Sequence, residues 1–122
     1  MKTVRDDLHD KLAATYQSLE GATLNSVLAE NGISDVELRR KIIGDFLFRQ
    51  GVILDQGWFK EEGKKHFPGV YFSSHPHSEI EKAVIMLPGP QFGTNFHDYA
   101  LGAADWSIEN ESGGDVIETG NE

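Results

Sequence analysis

Ser78-Glu79-Ile80-Glu81-Lys82-Ala83-Val84-Ile85-Met86-Leu87-Pro88-Gly89-Pro90 decides how the second half of this chain is read. Its first four residues form a capping box: the Ser can bond an amide three residues on, and the Glu can reach back. On that reading residues 79–87 are helical. The apolar run 83–87 argues for a strand instead. Pro-Gly-Pro follows it at once, and the residue before a proline avoids the α region. The strand reading is preferred, and it makes the second half β-rich.

Working outward from that strand, Gly69-Val70-Tyr71-Phe72-Ser73 is a second β-type run. Val52-Ile53-Leu54 and Trp58-Phe59-Lys60 flank a turn at Asp55-Gln56-Gly57. Residues 95–104 suit a short helix. Trp106-Ser107-Ile108-Glu109 and Val116-Ile117-Glu118 alternate around Ser112-Gly113-Gly114-Asp115, a hairpin signal.

The first half reads as helices. Thr3 can cap one, with Asp6 and Asp7 in its first turn; Val4, Leu8, Leu12, Tyr16 and Leu19 recur at helical spacing, and Gly21 ends it. A shorter helix starts at Thr23 and stops before Gly32. Ser34-Asp35-Val36-Glu37 is a second capping box, opening a helix that Gly51 stops. On a helical wheel Val36, Leu38, Ile42, Ile43, Phe46 and Leu47 share an arc, and Arg39 falls inside it. A guanidinium there must snorkel out or find an anion. The expected fold is α+β: N-terminal helices (about residues 3–50) packed on a mostly antiparallel C-terminal β-sheet (about 51–118), with a short solvated C-terminal end, all in one domain of 122 residues.

The chain has no cysteine, which excludes disulfides, thiolate metal sites and cysteine nucleophiles. The acidic start is not a signal peptide, and no apolar run reaches membrane-spanning length, so the expectation is a cytoplasmic protein without a membrane partner. The net charge is −9 and is uneven: no Lys or Arg follows Lys82. An acidic surface repels phosphate backbones and attracts basic ones.

The histidine pair of Ser73-Ser74-His75-Pro76-His77-Ser78-Glu79 raises a metal question. In an extended segment His75, His77 and Glu79 point to one side, and two imidazoles with a carboxylate suit a divalent metal such as zinc in a hydrolase. His66, His97 or Asp98 are the candidate further ligands. Pro76 and the loop position favour a solvated turn, with no cofactor. His97-Asp98 is also a candidate acid/base pair. Residues 23–42 resemble a helix-turn-helix in spacing, with Arg39, Arg40 and Lys41 on its second helix, but Asp35 and Glu37 occupy the end that would enter a groove, and the net charge counts against nucleic acid. Lys60, Lys64, Lys65 and His66 form a small basic cluster that suits an anion or the acidic tail.

The preferred function is therefore a small acidic binding or regulatory module rather than an enzyme, inhibitor-, antitoxin- or immunity-like. It would engage a protein partner with a basic surface, or pair with itself as a homodimer. The candidate contact residues are Phe96, Tyr99, Asp105, Trp106, Glu109 and Glu111, where aromatics interleave with acids. A His75/His77/Glu79 metal-dependent hydrolase is the first alternative, and a helix-turn-helix regulator the second.

Overall fold

The apolar run before Pro-Gly-Pro is a strand, and it is the middle of the sheet. The computed structural model describes residues 1–111; the expected hairpin at 112–115 and its second strand at 116–118 lie outside them. In chain order the elements are β1 (Lys2–Asp6), α1 (Leu8–Glu30), α2 (Val36–Gln56), β2 (Phe59–Glu61), β3 (Lys64–His66), β4 (Phe72–Ser73), β5 (Val84–Pro88) and α3 (Ala100–Glu109). Short 3-10 turns occupy His77–Lys82 and Phe96–Tyr99. The capping box at residues 78–81 is not formed: the 3-10 turn that leads into β5 starts at His77 after Pro76, with no side-chain capping bond.

Helices predominate, the longest of them come first, and the sheet is small, so the chain is α+β. The sheet is mixed rather than mostly antiparallel. β5 pairs in parallel with β1, Lys2 opposite Val84 and Asp6 opposite Pro88. It pairs antiparallel with the two residues of β4, Phe72 opposite Met86. The first residues are therefore a strand, not the helix start that Thr3 suggested. Parallel pairing is non-local and leaves no short-range signal. Asp6 closes the strand and opens α1, its Oδ1 accepting from the Leu8 amide at 2.9 Å.

α1 and α2 run through the glycines expected to stop them. Gly21 lies where α3 crosses α1, and a Cβ there would meet Ser107 Oγ and stand 3.3 Å from the Ala103 carbonyl. Gly51 lies where the Phe96–Tyr99 turn touches α2, and a Cβ there would stand 2.5 Å from the His97 amide nitrogen. Both glycines serve close approach rather than a helix end. Residues 52–54, expected as a strand, are the last turns of α2, which stops at Gly57. Asp35, not Ser34, caps its start, accepting from the amides of Glu37 (3.0 Å) and Leu38 (3.1 Å).

The hairpin falls later than expected: Phe59 faces His66 and Glu61 faces Lys64, across a turn at Glu62 and Gly63 that both take positive φ. Such a turn matches the twist of the flanking strands. Residues 106–109, expected as a strand, continue α3. Its alanines favour helix and let it lie close against both α1 and α2.

The core forms at that three-helix junction from Ile43, Leu47, Ala100, Ala103, Ala104 and Ile108, with Leu24 and Leu28 against it. Full burial of a side chain such as Leu47 contributes about 1.5–3 kcal/mol. The stripe that α1 buries is His9, Ala13, Gln17, Gly21 and Asn25. These are small or polar residues, so the larger apolar side chains of α1 lie beside the core face rather than on it.

Candidate partner-binding groove

Arg39 is buried, as its place in the apolar arc implied, and it is internally bonded. It donates to Asn25 Oδ1 (2.8 Å), the Ile33 carbonyl (2.8 Å) and Glu111 Oε2 (3.0 Å). Asn25 donates to the same Glu111 oxygen at 2.9 Å. These bonds, that of Asn25 first, hold the Glu111 carboxyl below the usual glutamate range. Arg40 binds Asp105 at 2.6 Å and Lys41 binds Asp45 at 2.9 Å. The three cations of the suspected recognition helix thus all have carboxylate partners, and the two helices around them are simply the end of α1 and the start of α2.

The residues expected to contact a partner divide. Phe96 is 4% exposed and belongs to the interior. Tyr99 and Trp106 are half-buried. Asp105 and Glu111 are committed to Arg40 and Arg39, which leaves Glu109 exposed at the outer edge of α3. The metal candidates do not converge: among the described residues no three His, Asp or Glu side chains gather around a point that would hold an ion. His75 Nδ1 and Ser74 Oγ share a 2.9 Å hydrogen bond, while Glu79 faces Lys82 at 3.5 Å. His66 stacks on Phe59 with ring centres 5.5 Å apart, and Lys65 lies 4.3 Å over the Trp58 ring. The basic cluster is therefore the body of the β2–β3 hairpin.

His97 sits between two carboxylates. Its Nδ1 bonds Asp55, and its Nε2 lies 3.2 Å from Asp98 Oδ1. Asp55, its side chain 8% exposed, also accepts the amides of Phe96 (2.7 Å) and His97 (3.0 Å). Asp55 foremost, with Asp98 behind it, raises the imidazole above its ordinary range. Both ring nitrogens are engaged by acids, and no hydroxyl bonds either one among the described residues. The cluster pins the Phe96–Tyr99 turn to the end of α2.

His9 carried no sequence signal and is fully buried. A carbonyl accepts, so Nε2–H must donate to Val70 (2.8 Å), and Nδ1 then accepts from the Thr94 hydroxyl (2.8 Å). It ties two loops to α1.

The other side of the α1–α2 pair is open. A groove of about 390 Å³ is lined by Tyr16, Leu19, Glu20, Thr23, Leu24 and Val27 from α1 and by Phe46 from α2. Val27 is 46% exposed and Phe46 49%. Its α1 wall includes Tyr16 and Leu19, two of the residues whose helical spacing marked that helix, and both are half-buried beside the core. Glu20 is half-buried, and desolvation raises its carboxyl above the ordinary glutamate range, the adjacent Gln50 amide pulling the other way. Glu20 Oε1 and Gln50 Oε1 are buried without a hydrogen-bond partner among the described residues. No helix among the described residues is long and apolar enough to cross a membrane. No protein-family model matches the chain, nor does any curated protein or solved structure.

Proposed function

We propose that this protein is a non-enzymatic binding module that docks a protein partner in the cytoplasm through the α1–α2 groove. The observation that carries the reading is the groove itself, with Val27 and Phe46 each about half exposed on facing helices. An apolar trough between two helices is the usual receptor for a partner's helix. The acidic surface, net −9 over the chain, adds long-range attraction for a basic partner. Inhibitor-, antitoxin- and immunity-type neutralisers are all modules of this kind.

The test is site-specific photo-crosslinking in cells, with the photoreactive residue at Val27 or Phe46 and, as control, at exposed Glu81. A protein captured from both groove positions and not from Glu81, and released by Val27→Asp, is the expected result. Capture that ignores position, or that survives Val27→Asp, would remove the groove from the proposal.

A further inference from the structure

We infer that the occupant of the groove is an amphipathic helix carrying one Lys or Arg among its apolar side chains, and that Glu20 selects that cation. The inference rests on the groove being the docking surface and names what the surface prefers. Of the described residues that line it, Glu20 alone is charged. Its Oε1 and the Oε1 of Gln50 are buried and lack donors among the described residues. Both atoms only accept hydrogen bonds. The lining itself offers only two hydroxyl donors, from Tyr16 and Thr23, and that of Thr23 already serves the Leu19 carbonyl at 3.0 Å. Glu20 is thus the groove's one charged group among the described residues, and a positively charged donor complements it best.

The apolar part of the occupant follows from the walls. Leu24 and Val27 stand one turn apart on α1, and Phe46 faces them from α2. Side chains at i and i+3 or i+4 of a helix would fill that spacing. Charge separates the candidate occupants. A second copy would bring another net −9 chain against this one. A basic helix meets a complementary field.

Three synthetic helical peptides test this, read by fluorescence anisotropy at physiological salt. They share leucines at i, i+3, i+4 and i+7, with Lys, Gln or Glu at one central position. Each is titrated against the wild type, Glu20→Gln, Glu81→Gln and Val27→Asp. Glu81→Gln makes the same charge change at an exposed site outside the groove. The Lys peptide should bind the wild type about tenfold tighter than the Gln peptide and more tightly still than the Glu peptide. Glu20→Gln should abolish that preference, and Glu81→Gln should leave it intact. Equal binding of the Lys and Gln peptides, still lost in Val27→Asp, would overturn cation selection and leave the groove as a docking surface. Binding indifferent to Val27→Asp would overturn both. A dimer seen by sedimentation and split by Val27→Asp would assign the groove to a second copy and overturn the inference. So would peptide binding gained only in a chain ending at Glu111, since residues 112–122 would then be the occupant.

Discussion

At the scale of single residues, His97 links the fold to pH. Its imidazole lies between Asp55 and Asp98, and its folded pKa is raised, first by the bond to Asp55. A group whose folded pKa exceeds its unfolded value of about 6.5 stabilises the fold fully below that value. The contribution is lost as pH rises through the folded value. Thermal melts of wild type and His97→Asn across neutral pH should therefore differ most at the acid end and converge as pH rises. A gap that stays constant with pH would show that the ring acts by shape alone. Glu111 works in the opposite direction. Its pKa is lowered by Asn25 and Arg39, so its contribution is complete above about pH 4.5 and fades as pH falls through the lower folded value. For the same reason charge reversal at Glu111 tests stability, because it takes the carboxylate from buried Arg39; Arg40 keeps Glu37 at 3.4 Å if Asp105 is reversed, and Glu109 has no such commitment to Arg39 or Arg40 at bonding distance.

At the scale of elements, glycine separates two kinds of helix contact. Gly44 of α2 would place a new Cβ in ordinary contact, 3.5 Å from a Leu101 methyl and 3.7 Å from the Ala104 Cβ. Gly51 would drive one into the His97 backbone at 2.5 Å. Gly44→Ala should be neutral or gain up to about 1 kcal/mol from helix propensity. Gly51→Ala should cost roughly 1–3 kcal/mol through forced separation of α2 from the Phe96–Tyr99 turn. Chemical denaturation of the two variants checks the contrast; equal effects would contradict the close approach. The same contrast explains what the sequence could and could not disclose. β5 was legible because its run ends in Pro-Gly-Pro. The buried Arg39 was legible because its neighbours at helical spacing are apolar. The ends of α1 and α2 were misplaced because a glycine kept for a tertiary contact has the same letter as one that stops a helix. β1 was missed because its partner lies some eighty residues away. The hairpin was displaced because Asp55-Gln56-Gly57 imitates a turn better than Glu62-Gly63 does. The groove was hidden for a further reason. Hydrophobic period shows that α1 has an apolar side, but it cannot show that the residues α1 buries are His9, Ala13, Gln17, Gly21 and Asn25.

At the scale of the whole molecule, that division yields the decisive prediction. If the large apolar residues of α1 and α2 served stability alone, all of them would behave alike on mutation. The fold instead places Leu47 fully inside and leaves Val27 and Phe46 about half in water. Leu47→Ala should cost about 2–5 kcal/mol, the range for a core truncation that leaves a cavity. Val27→Asp and Phe46→Asp should cost clearly less, about 1 kcal/mol, because about half of each side chain is already in water. The same two variants should lose the partner, and affinity in the wild type should weaken with salt because the chain carries −9. Charge reversal at Glu109 should weaken it further without altering the melting temperature. On the proposed function, stability and binding fall to different apolar residues of the same two helices. Large destabilisation by Val27→Asp would return that residue to the core and leave the groove without a function of its own.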